Sequence, residues 1–473
     1  MVEFRLETDS IGEKEVPQDA YYGVQSLRGN ENFHITGELL HKKMIKALAI
    51  VKKACAISNF KAKVMDKEVM EAIVQACDEV IDGELDHAFI VDPIQGGAGT
   101  TANMNANEVI ANRANQIMGG GLGTYEFVHP NDHVNMGQST NDVYPTAGKI
   151  GTLLLLPRLL KEMNLLYEDL MKKSKEFDSV LKMGRTQLQD AVPIRLGQEF
   201  HAYASVIKRD IARIEHASNA IKSINMGASA IGTGINVDTY YFNIIVPTIN
   251  DLSGLELNQS EDLVDGTHNL DGLVEVSSAL KILAVNLSKI SNDLRLMSSG
   301  PKTMVGDINL PPRQNGSSIM PGKVNPVIPE VVSQVAFRVI GNDVTITMAA
   351  EGGQLELNAF EPVLFYSLYQ SIEFLERAIK TLRVNCITGI TANEEKMLAD
   401  VHNSTGIITA LVPHIGYAHA ARIAKKALKD GIQIRTLIEE ENLLTKEELD
   451  EILNPLAMTS PGIPAKHLLE NKK

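Results

Sequence analysis

The stretch GDINLPPRQNGSSIMPGKVNP, residues 306–326, lies between two long segments of helical periodicity and cannot itself be helical. Its prolines remove backbone donors and its glycines loosen the chain. A long loop of this kind inside a compact domain is commonly functional. Ser317, Ser318, Lys323 and Asn325 supply hydroxyls, a cation and an amide, which suit proton transfer and the binding of a carboxylate. The alternative is a flexible surface loop whose polar residues are incidental.

The segments around this loop have apolar residues at helical spacing over unusually long runs. We predict helices at about 143–178, 195–226, 236–252, 263–299, 327–351 and 364–388. Several of these far exceed the mean globular helix of about 11–12 residues. Residues 273–297 are apolar around most of the helix circumference, which indicates burial on several sides. An elongated bundle with so much apolar surface is expected to associate with copies of itself. Strand signals are scarce, and we expect no β-hairpin.

Composition excludes several classes of protein. A formal net charge of −14 argues against nucleic acid or an anionic membrane as the main partner. The three cysteines, Cys55, Cys77 and Cys386, are widely spaced, so they form neither a disulfide framework nor a zinc pattern. The opening MVEFRLETDS has no apolar signal region, and no window approaches an uninterrupted membrane span. We therefore expect a soluble protein of the reducing cytoplasm.

Three further polar breaks interrupt the helical pattern, and each has a structural interpretation beside a functional one. Residues 96–101, GGAGTT, run into a helix and either present backbone N–H groups to an anion or form a tight turn. Residues 129–142 end in Ser139, Thr140 and Asn141, which by local rules are helix N-caps. Residues 183–193 contain Thr186 and Gln187 as candidate ligand contacts.

The character of the chain changes after about residue 394, where the helical runs become shorter and richer in charge. We predict one helix at 439–453 and a turn between two helices at 414–417, so that this region forms a small helical domain. The expected domains are 1–140, mostly helical; 141–393, a helical bundle carrying the 306–326 loop; and 394–473.

Taken together, the motifs resemble those of the aspartase/fumarase superfamily over essentially the whole chain. GSSIMPGKVNP is very close to the superfamily signature. The other matching blocks, in order, are VPQDAYYGVQSLR, GGAGTTANMNANEVIANR, HPNDHVNMGQSTNDVYPT, KMGRTQLQDAVPIRLGQEF, NMGASAIGTGIN and VIGNDVTITMAAEGGQLELN. The resemblance implies an all-α, three-domain fold whose long-helix bundle forms a twenty-helix core in a homotetramer, with each active site drawing on three subunits.

Within the superfamily the residues favour the ammonia-lyase branch, which converts L-aspartate to fumarate and ammonia. GGAGT at 96–100 stands where fumarases typically carry SGTQS, and Thr140 stands where they usually have a second serine. Gln187 occupies a position at which fumarases, and some aspartases, have histidine. AVP at 191–193 and NPVIPEV at 325–331 also follow the ammonia-lyase form. Departures from that form are Thr101-Ala102, Ser229 and Asn358-Ala359-Phe360.

The resemblance also implies roles for the polar residues. Ser317 would be the general base that removes the Cβ proton, giving a doubly negative aci-carboxylate intermediate whose stabilisation is the main catalytic task. The residues expected around the β-carboxylate are Thr100, Ser139, Thr140 and Ser318; those expected at the α-carboxylate are Thr186, Gln187, Lys323 and Asn325. Asn141, with Thr100, would orient the amino group. We predict neither a cofactor nor a catalytic metal.

Two alternatives remain open on the sequence alone. One is a fumarate hydratase, which uses most of the same scaffold to interconvert fumarate and L-malate. The other is a non-catalytic relative retained as a scaffold, against which the intact candidate residues argue.

Overall fold

The computed structural model describes residues 3–470 and is built mostly of helices. The helices are α1 (Val24–Asn32), α2 (Lys42–Lys61), α3 (Lys67–Asp82), α4 (Thr100–Ile117), α5 (Thr140–Glu176), α6 (Leu196–Ser218), α7 (Thr239–Ser253), α8 (Leu263–His268), α9 (Asp271–Met297), α10 (Val327–Glu351), α11 (Glu361–Asn385), α12 (Glu394–Asn403), α13 (Ile408–Ile415), α14 (Tyr417–Asp430), α15 (Ile434–Glu440), α16 (Lys446–Ile452) and α17 (His467–Glu470). The strands are β1 (Phe4–Asp9), β2 (Gly12–Pro17), β3 (Leu181–Thr186), β4 (Gln189–Arg195), β5 (Ser223–Ile224), β6 (Asn258–Gln259), β7 (Ile308–Asn309) and β8 (Thr391–Ala392).

The long helical runs predicted from periodicity correspond to α5, α6, α7, α9, α10 and α11, which confirms the mostly helical fold class. The run at 263–299 is divided, because Asn269 is extended (φ −90°, ψ 134°) and ends α8 before α9 begins. The run at 439–453 is also divided. Helix α15 ends at Glu440, and α16 starts after a capping box in which Thr445 and Glu448 bond each other's backbone N–H.

The expectation that the chain contains no β-hairpin is wrong. Strands β1 and β2 pair antiparallel from Phe4 opposite Pro17 to Asp9 opposite Gly12, and β3 pairs antiparallel with β4. The first hairpin lacks an apolar alternation because its most buried position on β1 is a charged residue, Glu7, paired with Arg5 at 2.8 Å. A hairpin whose inner positions are charged shows no period-2 hydrophobic signal.

The chain divides into two compact units, each made of segments distant in sequence. Unit 1 comprises residues up to 161, 210–285 and 335–377, and unit 2 comprises 162–209, 286–334 and the residues from 378. In unit 1, helices α2, α3, α4 and α7 pack around fully buried side chains such as Leu48, Ile73 and Ile110. In unit 2, the C-terminal helices enclose a core that includes Leu411, Leu437 and Leu449. The three-domain boundaries stay a prediction.

No helix within residues 3–470 is both long enough and apolar enough to cross a bilayer.

Unit 1 contains a buried lysine and a buried glutamate between α5 and α11. Lys149 Nζ donates to the carbonyl of Ser223 at 2.7 Å. Glu361 is fully buried, and its Oε1 has no hydrogen-bond partner within residues 3–470. Burial raises the pKa of Glu361 to about 8, against the opposing charge of Lys149. Burial likewise lowers the pKa of Lys149. For each group, burial therefore favours the neutral form over the charged one.

This burial predicts a pH dependence of stability. The folded-state pKa of Glu361 lies above the unfolded value of about 4.5, so the stability linked to this group is complete below about pH 4.5 and is lost as the pH rises through about 8. Glu361→Gln keeps the neutral shape and should remove this decline, worth a few kcal/mol. Denaturant unfolding between pH 5 and about pH 9 measures it. Glu356→Gln, at an exposed position, is the control, and an unchanged slope in Glu361→Gln would contradict the assignment.

Candidate active site

The start of α5 carries three of the predicted site residues. Ser139 lies just before the helix, and its Oγ accepts a hydrogen bond from the backbone N–H of Asn141 at 3.2 Å, which is an N-cap contact. Thr140 is largely buried, and its Oγ1 accepts from Asn103 Nδ2 at 3.1 Å. Asn141 Nδ2 donates to the carbonyl of Ala230 at 2.7 Å. Since only the amide nitrogen can donate, this contact fixes which end of the Asn141 side chain faces Ala230.

Asp142, which the sequence reasoning did not single out, anchors this end of α5. Its Oδ1 accepts from the Ser139 N–H at 2.9 Å, and its Oδ2 accepts from the N–H groups of Gly227 and Ser229 at 3.2 and 3.0 Å. Burial raises the pKa of Asp142 to about 6, while these three N–H groups act in the opposite direction. The carboxyl therefore ties residues 227–229 to the turn that presents Ser139.

The glycine-rich segment at 96–100 forms the turn that starts α4. Gly97, Ala98 and Gly99 all have positive φ, of 81°, 55° and 87°. A Cβ at Gly99 would lie 2.5 Å from the Tyr144 ring, so this position needs glycine both for its backbone conformation and for space. Thr100 is exposed, and its Oγ1 donates to the carbonyl of Gly97 at 2.7 Å. The segment is thus a tight helix-starting turn with one accessible hydroxyl.

A buried polar layer lies beneath the 135–142 turn. Lys52 Nζ donates to Asn135 Oδ1 at 2.9 Å and to Gln138 Oε1 at 2.8 Å. The amides of Asn103 and Asn107 donate to the same Asn135 oxygen at 3.3 and 3.2 Å. Burial lowers the pKa of Lys52 to about 8. The available sequence signal was a lysine four residues after Leu48, on the apolar side of a buried helix.

In unit 2, Thr186 and Gln187 lie at the tip of the β3–β4 hairpin. Gln187 and Leu188 have φ of 52° and 61°, the pattern of a two-residue type I′ turn. Thr186, Gln187 and Leu188 are all exposed. The register shifts between Met183 and Arg185, and a Cβ at Gly184 would approach the Val192 carbonyl to 2.8 Å. A bulge therefore sits directly below the exposed tip.

The 306–326 loop is irregular, as predicted, but it contains a small folded turn. Gly316 N–H donates to the Lys323 carbonyl at 2.9 Å, and Asn325 Nδ2 donates to the Gly316 carbonyl at 3.0 Å. Ser317 is half-buried, and its Oγ accepts from the Ile319 N–H at 3.1 Å. Ser318 and Lys323 are exposed. The turn thus holds Lys323 across from the residue that precedes Ser317.

The predicted residues divide between the two units of the chain. Unit 1 carries one group, namely Thr100, Ser139, Thr140 and Asn141, and unit 2 carries the other, namely Thr186, Gln187, Ser317, Ser318, Lys323 and Asn325. The roles assigned to these residues remain predictions. Of the three departures noted in the sequence, Thr101 packs so closely against Gly29 that a Cβ added to Gly29 would lie 2.1 Å from the Thr101 methyl carbon. Ser229 donates its backbone N–H to the Asp142 carboxylate.

Comparison with known proteins decides the family. A family model described as lyase matches residues 12–341, and one described as fumarase C C-terminus matches residues 407–460. The chain belongs to this lyase family.

Two aspartate ammonia-lyases are similar in sequence to this lyase over nearly their whole lengths. The aspartate ammonia-lyase of Bacillus subtilis is 55% identical over 468 residues, 99% of this lyase and 98% of the relative. That of Helicobacter pylori is 51% identical over 465 residues, with 98% and 99% covered.

Among solved structures, a fumarate lyase:delta crystallin from Brucella melitensis has a TM-score of 0.95 and 48% identity, covering 97% of this lyase and all of that chain. A class II fumarase from Schistosoma mansoni has a TM-score of 0.94 and 34% identity, with the same coverage. The protein is a carbon–nitrogen lyase of the aspartase/fumarase superfamily.

The role of Asp142 can be tested by Asp142→Asn. An amide cannot accept hydrogen bonds at both ends, so at least one of the N–H groups of Ser139, Gly227 and Ser229 would lose its acceptor. We expect a loss of about 1–3 kcal/mol in the free energy of unfolding. Denaturant unfolding at pH 8 measures it. Asp132→Asn, at an exposed carboxyl, is the control, and equal stability of the two variants would contradict the anchoring role.

Proposed function

We propose that this lyase deaminates L-aspartate reversibly to fumarate and ammonia. The observation that carries the proposal is its identity of 55% and 51%, over nearly full length, to two aspartate ammonia-lyases. Gln187 in place of histidine favours loss of ammonia over loss of water as the reaction.

In the proposed mechanism, Ser317 removes the Cβ proton and the amine leaves by anti-elimination through an aci-carboxylate. A serine acts as a base only where its oxyanion is stabilised. One donor, the Ile319 N–H, already points at Ser317 Oγ. The 316–323 turn also brings the backbone of Lys323 beside Gly316, the residue that precedes Ser317. Closure of this glycine-containing loop over the substrate would exclude water.

The start of α5 suits the substrate's other groups. Because Asn141 Nδ2 is committed to the Ala230 carbonyl, its Oδ1 is the end left to accept a hydrogen bond from the substrate ammonium. Ser139 and Thr140 offer hydroxyls for the β-carboxylate, with Ser318 from the loop. Thr100 would join them by turning its hydroxyl from the Gly97 carbonyl to the substrate. Thr186, Gln187, Lys323 and Asn325 bind the α-carboxylate in this proposal, a cation and three neutral donors for one anion.

We further propose a homotetramer in which each active site combines residues of three subunits. Support comes from one face of α10, where Phe337, Val344 and Met348 are 64%, 58% and 63% exposed. Gly341 lies on the same face with no atom within 4 Å of a Cβ placed there. Positions 337, 341, 344 and 348 are spaced for one helical stripe. A contiguous apolar stripe around a small residue suits close packing against another helix.

A fumarate hydratase is the second candidate, favoured by the likeness to the Schistosoma mansoni class II fumarase. The two reactions share fumarate, and they are distinguished by whether ammonia or water is lost.

The deciding experiment follows the ultraviolet absorbance of fumarate after L-aspartate or L-malate is added. We expect fumarate from aspartate and none from malate. Ser317→Ala should lower kcat by at least about 10²-fold, since a positioned base contributes about 10²–10⁴-fold. Ser10→Ala, at an exposed position in the β1–β2 turn, is the matched control. Near-normal turnover by Ser317→Ala would exclude Ser317 as the base, and fumarate from malate alone would favour the hydratase.

The tetramer can be tested on α10. Phe337→Asp combined with Val344→Asp places two charges on the apolar stripe, and we expect a smaller species with loss of activity, because the sites would be incomplete. Sedimentation velocity measures the size. Leu428→Asp changes a 72% exposed leucine on α14 and should leave the assembly intact. A double variant of unchanged size would rule out this face as the interface.

A further inference from the structure

Four charged side chains form a network at the base of the β3–β4 hairpin in unit 2. Asp307 Oδ2 lies 2.8 Å from Arg185 Nη1 and 3.2 Å from Lys182 Nζ. Lys182 also lies 2.9 Å from Glu199 Oε1. The side chains of Asp307 and Lys182 are 1% and 4% exposed. Two cations and two carboxylates are thus balanced in a mostly buried position.

The backbone of Asp307 is fixed independently of its side chain. Its N–H donates to the Met297 carbonyl, at the end of α9, at 2.7 Å, and its carbonyl accepts from the Asn393 N–H at 2.9 Å. The next two residues form β7 and pair with β8. Asp307 is also the second residue of the 306–326 loop. The backbone that carries the Asp307 carboxyl is therefore fixed, and a residue bound by this carboxyl is held in position relative to the start of the 306–326 loop.

Arg185 is the residue that Asp307 holds, and it immediately precedes Thr186 and Gln187. On the opposite strand, Asp190 pairs with Arg185 and accepts a hydrogen bond from Ser404 Oγ at 3.0 Å. Thr186, Gln187 and Leu188 are exposed, and a bulge opposite Gly184 interrupts the ladder below them. Beside the tip lies a cavity of about 370 Å³, lined in part by Gln187, Leu188 and Tyr203. Packing thus leaves the tip free on that side. At its base the Asp307 ion pair holds the strand that carries Arg185, and Ser404 holds the strand that carries Asp190.

Stability alone does not account for this network. Asp307 Oδ1 and Glu199 Oε2 are buried without a hydrogen-bond partner within residues 3–470. Buried ion pairs of this kind often add nothing over apolar replacements, because desolvation offsets their attraction. What they do supply is a fixed geometry for the groups attached to them.

We infer that Asp307 is a positioning residue for substrate binding, acting through Arg185 on Thr186 and Gln187. This inference rests on the proposed function, in which Thr186 and Gln187 bind the α-carboxylate of aspartate. Removing the charge of Asp307 releases Arg185 and loosens the hairpin tip, while the backbone contacts that root the 306–326 loop persist. The affinity for substrate then falls by a larger factor than the rate of the chemical step.

The test compares Asp307→Asn with Asp169→Asn in the intact enzyme. Asp169 is a matched control, because it is also largely buried in unit 2 and also contacts an arginine and a lysine, Arg383 at 3.4 Å and Lys172 at 3.1 Å. We expect Asp307→Asn to raise KM for aspartate about tenfold or more with a smaller change in kcat, since small misplacements of binding groups cost up to about 10²-fold. Asp307→Glu should recover part of the loss, and Asp307→Asn combined with Arg185→Gln should be no worse than either alone.

Amide hydrogen exchange supplies a second readout that does not depend on the reaction. The amides of residues 181–195 should exchange faster in Asp307→Asn than in the wild type. Their exchange rates should be unchanged in Asp169→Asn. An unaltered KM in a folded Asp307→Asn enzyme, or the same rise in Asp169→Asn, would overturn the inference. Should the wild type fail to act on aspartate, the proposed function fails, and the exchange of the hairpin still decides whether Asp307 fixes it.

Discussion

The carboxyl of Asp142 is the constraint on which the arrangement of unit 1 most depends. It accepts hydrogen bonds from three backbone N–H groups, one just before α5 and two in residues 227–229. These bonds fix the turn that carries Ser139, Thr140 and Asn141. A neutral side chain could satisfy only part of that set. Burial opposes the charge and raises the pKa of Asp142 to about 6, so the same hydrogen bonds must work against desolvation. Burial of the charge thus offsets part of the stabilisation that these hydrogen bonds supply.

Long-range periodicity made the helical architecture predictable. Helices α5, α9, α10 and α11 each repeat the apolar pattern over many turns, and the 306–326 loop was set apart by its prolines and glycines. The hairpins were missed for local reasons. In β1 the inner positions carry Arg5 and Glu7, and the β3–β4 turn uses Gln187 and Leu188 at positive φ, where Asn-Gly would be the recognisable signal. Neither sequence carries the pattern that usually marks its structure.

The predicted site residues came from motifs, whereas the groups that hold them could not be found that way. Lys52 reaches Asn135 and Gln138, and Asp307 reaches Arg185, each across more than eighty residues of chain. Such pairs exist only once the fold brings distant segments together. A lysine or aspartate on an apolar helix or in a loop gives no indication of its partner by spacing. Buried charges of this sort are costly to place, and Lys52 and Asp307 each lie behind a segment that carries predicted site residues.

The 306–326 loop exposes a large apolar side chain at its tip. Ile319 is 85% exposed, so a large aliphatic side chain stands in water one residue beyond Ser318. Burying an isoleucine is worth about 1.5–3 kcal/mol, which corresponds to a shift of roughly ten- to hundredfold between two conformations. Any conformation in which Ile319 leaves water is favoured by that amount before a single polar contact to substrate is counted. Burial of Ile319, a side chain with no reactive group, would therefore supply part of the free energy that orders the loop.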